Sequence, residues 1–464
     1  MSELIMTKYK NEIIDELSKL IAIESVAVPD CGIDGYPFGY KSAEALGFMT
    51  DLAEKLGLST ENSDNYACHA QLGEGGDDDY AAVLCHVDVV PTGSGWKTDP
   101  LILTEKDGYL YGRGIADDKG AAMISLFCLK AMKDNGIELK RPIRCIFGGG
   151  EEIGMDDMAH YFSKHALPTM AFTPDADYPA CNCEKGILHL KLTGNTDSAL
   201  LSVRGGSAVN CVADSCTGVF SCDESEANTI SALINSGDAE CVVSPAEKGF
   251  TITVKGLSAH AMCPEKGINA INYLLTAAEE AGILTEGSAE SFFAKKICRD
   301  TYGIEIGAAC ADELSGQMTL NLGLIESGAG KTSINIDIRY PATLSSQPII
   351  SAVSEEAARH GVTVEINGDN PPLYIPADHP LIRALGECFT EITGKRMVPV
   401  SMGGGTYARA LRGRGVAFGP VFADASPSNL HMANENLSVT DFMLHAEICY
   451  KAMCRLATMD LSDE

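Results

Sequence analysis

The chain has 464 residues, more than one hydrophobic core usually supports, so its length predicts two domains. Apolar residues make up 45% and charged residues 21%, which is typical of a globular protein, and the net charge of −29 argues against nucleic acid or a membrane surface as a partner. The seventeen cysteines lack the spacing of a disulfide scaffold, so we expect a reduced, cytoplasmic protein. Cys181 and Cys183 have no second pair of cysteines to complete a zinc site, so we interpret them as structural. No apolar run reaches membrane-spanning length, and the amphipathic start of the chain does not resemble a signal peptide.

The first part of the chain alternates between helical and extended patterns. In chain order, these predict helices over residues 1–23, 41–57 and 118–136, and strands over residues 80–86, 141–147 and 169–175. Nearly continuous apolar strands that alternate with helices predict an α/β sheet covered on both faces. Functional groups in such sheets collect beyond the carboxyl ends of the strands, where His86, Glu151, Glu152 and Asp175 fall.

The pattern changes near Leu188, where the apolar residues begin to alternate with period two. Residues 249–256 and 333–341 show this most clearly, as half-buried antiparallel strands do. A short repeat at residues 203–208 and 254–259 would be explained by two related halves, with chance similarity as the alternative. The α/β pattern resumes near residue 371, with a helix over 380–393 and a strand over 415–420.

We therefore predict an α/β fold of two domains. The catalytic domain is discontinuous, comprises residues 1–186 and 374–464, and contains a mixed sheet flanked by helices. The inserted lid domain comprises residues 187–373 and is an α+β unit built of two related halves.

Several polar residues at the predicted strand and helix ends suit a metal site. Side chains two residues apart on an extended segment point the same way, so Asp88 can accept a hydrogen bond from the far nitrogen of His86, as around a ligating imidazole. The alternative is a histidine that only ends a strand. Asp117 and Asp118 precede a helix, where helix capping explains one aspartate better than two.

A second group of acids follows the next strands. Glu151 and Glu152 come after three glycines, which we interpret as a loop flexible enough to turn both carboxylates inward, one as ligand and one as proton carrier; a solvated charge pair is the alternative. Asp175 ends a strand, and His431 lies in a late loop. The carboxylates of Asp117, Glu152 and Asp175, together with one hydroxide, would balance the charge of two divalent cations.

The inserted domain offers candidate substrate contacts. Asp337 and Arg339 lie on one face of a predicted strand, where Arg339 either pairs with Asp337 or presents its planar fork to a substrate carboxylate. His260 is either a surface residue or a donor to developing negative charge, and Asn210 occupies the equivalent loop of the repeat.

Four motifs together resemble the di-metal ArgE/DapE/carboxypeptidase-G-type metallopeptidases. They are, in chain order, CHVDVVP at 85–91, GRGIADDKG at 112–120, GEEIG at 150–154 and PDA at 174–176. Within that family the chain is most similar to PepV-type bacterial dipeptidases, through its long inserted domain and the segments PFG at 37–39, PDADYP at 174–179, EKG at 184–186 and GGGTYAR at 403–409. Cys85 departs from the family pattern, because many relatives have glycine there.

The resemblance implies two divalent metal ions per chain, zinc or alternatively manganese or cobalt. One ion would be held by His86, Asp117 and Asp175. The other would be held by Asp117, Glu152 and His431, with Asp117 bridging and its peptide bond to the next residue cis.

The resemblance also implies the roles of the other site residues. Glu151 would be the general base, and Asp88 would orient His86. The lid would contribute His260 to the oxyanion, and the carboxylate of the substrate would be held by Arg339, Asn210, Gly404, Gly405 and Thr406.

The predicted function is metal-dependent hydrolysis of dipeptides that have a free C-terminal carboxylate, by a water between the metals and a glutamate base. The alternatives are an aminoacylase, deacetylase or carboxypeptidase on the same scaffold, and a non-catalytic peptide-binding protein. We expect a bacterial, cytoplasmic monomer whose partner is its dipeptide substrate, because the long lid resembles that of monomeric relatives.

Overall fold

A computed structural model describes residues 4–29 and 31–460. The chain forms two compact units. Unit 1 contains Met1–Asn182, Ile375–Val400 and Thr406–Glu464, and unit 2 contains Cys183–Tyr374 and Ser401–Gly405. The short segment 401–405 thus belongs to unit 2, although it was predicted to belong to the catalytic domain.

The α-helices are α1 (Lys10–Ile21), α2 (Tyr40–Lys55), α3 (Lys119–Asp134), α4 (Asp156–Lys164), α5 (Glu224–Asn235), α6 (Ala270–Glu280), α7 (Ala289–Lys296), α8 (Gln347–Arg359), α9 (Pro380–Thr393) and α10 (Val439–Thr458). Short 3₁₀ helices cover Met6–Tyr9, Glu151–Ile153, Pro264–Lys266 and Tyr407–Leu411.

The strands of the first half of the chain are β1 (Ser59–Ser63), β2 (Ala67–Leu72), β3 (Ala81–His86), β4 (Thr104–Lys106), β5 (Tyr109–Tyr111), β6 (Ile143–Gly148), β7 (Met170–Thr173), β8 (Ala176–Tyr178), β9 (Cys181–Glu184), β10 (Gly186–Asn195), β11 (Leu200–Gly205) and β12 (Ser215–Phe220). Those of the second half are β13 (Glu240–Pro245), β14 (Phe250–Lys255), β15 (Ala311–Asp312), β16 (Gly316–Gln317), β17 (Thr319–Gly328), β18 (Lys331–Tyr340), β19 (Thr363–Asn370), β20 (Leu373–Tyr374), β21 (Val400–Met402), β22 (Gly415–Ala417), β23 (Pro420–Phe422) and β24 (Asn436–Ser438).

The main sheet of unit 1 is mixed, as predicted. Its path runs β1-β2-β6-β3-β7-β22-β9. Strand β3 is parallel to β6 and β7, and β22 is parallel to β7, whereas β1, β2 and β9 join antiparallel. Because parallel strands end at the same edge, the residues that follow β3, β6 and β7 are brought together.

The core of unit 1 explains why these strands read as continuous apolar runs. Every residue of β3, β6 and β7 is buried. Helix α3 is buried along almost its whole length and packs against α1 and α10. A sheet covered by helices on its faces has no solvent side, so its strands lose the alternation of apolar and polar residues.

Unit 2 is built on an antiparallel sheet in the order β13-β14-β12-β11-β17-β18-β10-β19. The boundary between β11 and β17 divides the sheet into two groups of four strands, with α5 and α6 packed on the first group and α7 and α8 on the second. Alternate residues of β10 and β18, including Leu190 and Ile336, form its core. The sheet therefore divides into two halves, as predicted.

The short sequence repeat does not mark those halves, contrary to our interpretation. Its copies begin in β11 and β14, which lie in the same group of four strands. The similarity reflects two strands that each run into a loop, and not a duplicated half.

The helices and strands predicted from the sequence are present among the described residues, and residues 1–3 of the first predicted helix lie outside them. No disulfide bond forms among the cysteines, all of which lie in described residues. Over residues 4–29 and 31–460, we find no helix whose length and apolar character would let it cross a membrane.

Candidate metal centre

His86 is the last residue of β3 and is completely buried. Its Nε2 lies 2.8 Å from Oδ1 of Asp117 and 4.0 Å from Oδ1 of Asp175. Its Nδ1 lies 3.0 Å from the backbone carbonyl oxygen of Asp88 and 3.4 Å from Oδ1 of the same residue. An imidazole held by one nitrogen and facing carboxylates with the other is oriented for ligation through Nε2.

Asp88 lies near the His86 ring, as predicted, and its carboxylate also binds the backbone of the next loop, which the sequence did not suggest. Its Oδ1 accepts a hydrogen bond from the backbone N–H of Glu151 at 3.2 Å, and its Oδ2 accepts one from Glu152 at 3.1 Å. The first N–H groups of a helix have no partner inside it, so Asp88 satisfies the start of the 3₁₀ helix Glu151–Ile153. Asp88 thereby fixes the turn that carries both glutamates.

The three glycines Gly148–Gly150 bring that turn close to its neighbours. A Cβ atom at each position would lie under 3.0 Å from Tyr407, Ser42 and Phe38 in turn. None of the three has a positive φ. The interpretation of a flexible loop is therefore wrong: glycine is needed here for close approach and not for conformational freedom.

Asp117 lies between two imidazoles. Its Oδ1 faces Nε2 of His86, and its Oδ2 lies 2.9 Å from Nε2 of His431. The same nitrogen of His431 lies 3.2 Å from Oε2 of Glu152. The peptide bond between Asp117 and Asp118 is cis, as the resemblance implied.

Two groups of ligand-type atoms each converge within 4.8 Å in this region. One group comprises His86, Asp117 and Glu152, and the other comprises His86, Glu151 and Asp175. Oε1 of Glu152 is buried, and the described residues offer it no hydrogen-bond partner. Imidazole and carboxylate donors without a thiolate suit zinc, manganese or cobalt, so the residues present fit divalent metal ions.

The charges in the cluster are unbalanced. Burial raises the pKa of Asp175 well above its usual value, and the charge of Asp117 raises it further. Burial and Asp175 likewise raise the pKa of Glu151 well above normal, and burial and Asp117 raise that of Glu152. Although burial opposes it, hydrogen bonds to Asp117 and Glu152 raise the pKa of His431 to about 11. Without a further positive charge nearby, the ionised forms of these three acids are therefore disfavoured, and bound cations would supply that charge.

Glu435 supports the centre and was not recognised in the sequence. Its buried carboxylate accepts hydrogen bonds from the backbone N–H groups of Ala116 at 2.9 Å and Asp117 at 3.2 Å, and from Nη1 of Arg113 at 2.7 Å. Burial and the charge of Asp117 raise the pKa of Glu435 to about 7. Its nearness in sequence to His431 is the only signal that could have suggested it.

Asp157 and Tyr407 form a second buried support. Oδ2 of Asp157 accepts hydrogen bonds from the backbone N–H of Gly150, at 2.8 Å, and from the hydroxyl of Tyr407. The ring of Tyr407 lies edge-on to that of His86, with 6.2 Å between centroids. Burial and the charge of Asp88 raise the pKa of Asp157 to about 7.

In unit 2, Arg339 makes the ion pair with Asp337 that the strand pattern favoured. Its Nε lies 2.6 Å from Oδ1 of Asp337, and its Nη2 lies 2.8 Å from Oδ2. Nη1 donates to the backbone carbonyl of Gly403 at 3.0 Å, and Nε2 of His189 lies 3.0 Å from Oδ2 of Asp337. Three N–H groups of the guanidinium are therefore engaged by two residues of unit 2, Asp337 and Gly403.

The structure brings two other lid candidates together. The backbone N–H of the residue after His260 donates to the carbonyl of Asn210 at 2.9 Å, so their two loops are joined. Gly404 and Gly405 belong to unit 2, and Thr406 belongs to unit 1, where its side chain caps the 3₁₀ helix Tyr407–Leu411.

The α/β fold and its cluster of imidazole and carboxylate groups at parallel strand ends are those of a metal-dependent hydrolase. The family comparison is more specific. The profile of Peptidase family M20/M25/M40 matches residues 82–455, and the chain belongs to this family. This confirms the resemblance based on the four motifs, and the protein is a metallopeptidase.

Similar proteins support the assignment over almost the whole chain. YtjP of Bacillus subtilis (strain 168), whose name assigns it provisionally as a dipeptidase, is 34% identical over 466 residues, covering 98% of this chain and 99% of YtjP. The crystal structure of human carnosine dipeptidase 1 aligns with a TM-score of 0.59 and 16% identity over 97% of each chain. The metallo-carboxypeptidase Sso-CP2 from Sulfolobus solfataricus aligns with a TM-score of 0.60 and 17% identity, over 96% of this chain and 99% of Sso-CP2. These two likenesses establish the fold alone.

Proposed function

We propose that the protein is a dipeptidase that hydrolyses the peptide bond of dipeptides with a free C-terminal carboxylate. The convergence of His86, Asp117, Glu152 and Asp175 within a few ångströms is the observation that carries this proposal. The name of YtjP, which is similar along its whole length, supports the substrate class.

We assign two divalent metal ions to the centre, zinc or alternatively manganese or cobalt. His86, Asp117 and Asp175 would hold the first ion. Asp117, Glu152 and His431 would hold the second, and the two oxygens of Asp117, which face different imidazoles, support its bridging role. When bound, the ions supply Lewis acidity toward the scissile carbonyl and make the attacking water more acidic.

Glu151 is the proposed general base. Its carboxylate accepts a proton from the attacking water and then delivers that proton to the leaving amine. A carboxylate oxygen of Glu151 lies within 4.8 Å of a ring nitrogen of His86 and of a carboxylate oxygen of Asp175, which supports this assignment. Asp88 positions Glu151 through the hydrogen bond to its backbone.

Recognition of the substrate carboxylate is assigned to Arg339, Asn210, Gly404, Gly405 and Thr406, and His260 is assigned to the developing oxyanion. Asp337 and the carbonyl of Gly403 engage three N–H groups of Arg339. A guanidinium has five, so donors remain for a second carboxylate. Recognition of the free carboxylate would limit the substrate length and exclude longer peptides.

The Glu151→Gln variant tests the proposed mechanism. We expect kcat to fall by a factor on the order of 100 or more, because general acid–base catalysis contributes that much, while the bound metal stays unchanged. Glu105→Gln, at an exposed strand position, is the matched control and should retain full activity. Both variants and the wild type are dialysed against a chelator and reconstituted with zinc, manganese or cobalt. Unchanged turnover of Glu151→Gln at full metal content would remove Glu151 from its role.

A substrate panel tests the specificity. The reconstituted enzyme should hydrolyse Ala-Ala or β-Ala-His, and it should act poorly on Ala-Ala amide, which lacks the terminal carboxylate, and on Ala-Ala-Ala. Preferred hydrolysis of N-acetyl amino acids would instead identify an aminoacylase. Tight peptide binding without chelator-sensitive hydrolysis would contradict an enzymatic function.

A further inference from the structure

Unit 1 contains a second cluster of metal-ligating side chains, made of Glu61, His69 and His165. Ligand-type atoms of these three residues all lie within 4.8 Å of one another. None of the three belongs to the di-metal centre. Two imidazoles and one carboxylate are the protein ligands of many zinc sites with three protein donors.

The fold holds these residues together through three elements. Glu61 and His69 are direct partners across the antiparallel pair β1–β2, so their side chains project from the same face. His165 immediately follows α4, where its backbone N–H donates to the carbonyl of Tyr161 and its ring stacks on the Tyr161 ring at 4.4 Å. The rings of His69 and His165 are perpendicular, with centroids 5.5 Å apart.

Each imidazole is held by one nitrogen, as metal-ligating histidines usually are. Nδ1 of His69 lies 3.0 Å from the hydroxyl of Tyr161, and Nδ1 of His165 lies 3.4 Å from Oδ2 of Asp77. The carboxylate of Asp77 can only accept a hydrogen bond, so it favours the His165 tautomer in which Nε2 carries the lone pair. The hydroxyl of Tyr161 occupies Nδ1 of His69 and leaves its Nε2 for a ligand.

The Nε2 of His165 faces the third candidate ligand. It lies 3.2 Å from Oε1 of Glu61 and 3.3 Å from the hydroxyl of Ser63. The side chain of Glu61 is 55% exposed and that of His165 is 9% exposed, so the cluster opens to solvent on the Glu61 side. Solvent could therefore supply the remaining coordination positions.

We propose that Glu61, His69 and His165 form a third metal site, which binds one divalent transition-metal ion such as Zn²⁺. This site is independent of the proposed function, because it shares no residue with the di-metal centre.

An ionic cluster without metal is the competing explanation, because His165 lies between the carboxylates of Glu61 and Asp77. It does not account for His69. The ring of His69 is buried, and its Nδ1 contacts the hydroxyl of Tyr161 and not a carboxylate. The cation of Arg144 pairs with Asp77 at 2.6 Å, which offsets its charge near the cluster.

The test is the zinc content of the full-length protein after equilibrium dialysis at buffered free Zn²⁺, determined by mass spectrometry. The wild type should bind one equivalent more than His165→Ala and one more than Glu61→Gln. Because the side chain of Glu61 is 55% exposed, loss of zinc in Glu61→Gln reports on binding and not on folding. His160→Ala is the matched control, because His160 lies on α4, the helix that precedes His165, and pairs with Asp64 instead. The control should keep the full zinc content, and all variants should retain dipeptidase activity.

A second measurement identifies the ligands without relying on a truncation. Histidine ring ¹⁵N shifts of the wild type should move for His69 and His165 as Zn²⁺ fills the third site, in the direction expected for Nε2 ligation. Equal zinc content in the wild type, His165→Ala and Glu61→Gln would overturn the proposal, as would unchanged shifts for both histidines. Because the readout is a difference of one equivalent, it does not depend on how many ions the di-metal centre binds.

Discussion

The pKa values of two carboxylates, the partly buried Asp175 in unit 1 and the fully buried Asp337 in unit 2, shift in opposite directions. Around Asp175, burial and the neighbouring Asp117 raise the pKa well above normal. Burial also acts on Asp337, but His189 and Arg339 outweigh it and lower the pKa. The difference is whether the protein supplies the compensating cation from its own side chains.

The comparison shows how a structural carboxylate differs from a ligand. Asp337 is matched by a bidentate guanidinium and an imidazole, so the ion pair is complete without any other partner. Asp175 shares a pocket with other acids, and the nearby histidines do not balance them. Shielding such a cluster from water costs free energy unless a metal ion compensates the charge of its carboxylates.

Arg339→Met should have the largest effect on stability, because it leaves Asp337 buried with much of its charge unpaired. We expect the free energy of unfolding to fall by about 3–5 kcal/mol, which is typical of breaking a buried ion pair. Calorimetry of the full-length protein measures it. The double variant Arg339→Met/Asp337→Leu is the control and should recover most of the loss. A loss below about 1 kcal/mol in the single variant would show that Asp337 does not depend on Arg339.

His445 extends the comparison to a buried base without an ionic partner. Burial lowers the pKa of His445 to about 3, against a usual value of 6.5, and its Nε2 has no hydrogen-bond partner among the described residues. The unfolded state therefore binds more protons between pH 6.5 and pH 3, and stability falls as the pH falls through this range.

The expected loss from His445 alone is about 2 kcal/mol at pH 5, because each pH unit in this window is worth about 1.4 kcal/mol. His445→Gln should remove this part of the pH dependence. Urea unfolding in the presence of a chelator, at pH 7.5 and pH 5, measures it through the single tryptophan, Trp96, which lies in unit 1. Equal pH dependence in the wild type and the variant would refute the assignment.

Local patterns in the sequence were sufficient to predict much of the fold and the convergence of the ligands. The helix over 380–393 matches α9 at both ends, because Pro380 favours a helix start and Gly394 adopts the left-handed conformation that ends one. The ends of β3, β6 and β7 were predicted from apolar runs, and parallel pairing brings the residues after them together.

Features that depend on distant parts of the chain were not predicted. Glu435 holds the backbone before Asp117 across a long sequence separation, and nothing in its own polar loop indicates that partner. The glycines Gly148–Gly150 suggested flexibility, and only the positions of Ser42 and Tyr407 show that they are needed for space. Likewise, His165 meets His69 only because α4 packs near β2.

The most direct test of the central comparison is to make the same change, aspartate to asparagine, in both regions and measure stability by calorimetry at pH 7.5 with a chelator present. Asp337→Asn should lower the free energy of unfolding by about 3 kcal/mol, because it leaves Arg339 buried without its partner. Asp175→Asn should raise the free energy of unfolding by about 1 kcal/mol, because it removes repulsion among the partly buried acids. This advantage should reverse when zinc is added, because zinc binds the wild type better. If Asp175→Asn instead destabilises the chelated protein as Asp337→Asn does, the carboxylates around His86 are a self-sufficient structural cluster, and the account of a metal centre is contradicted.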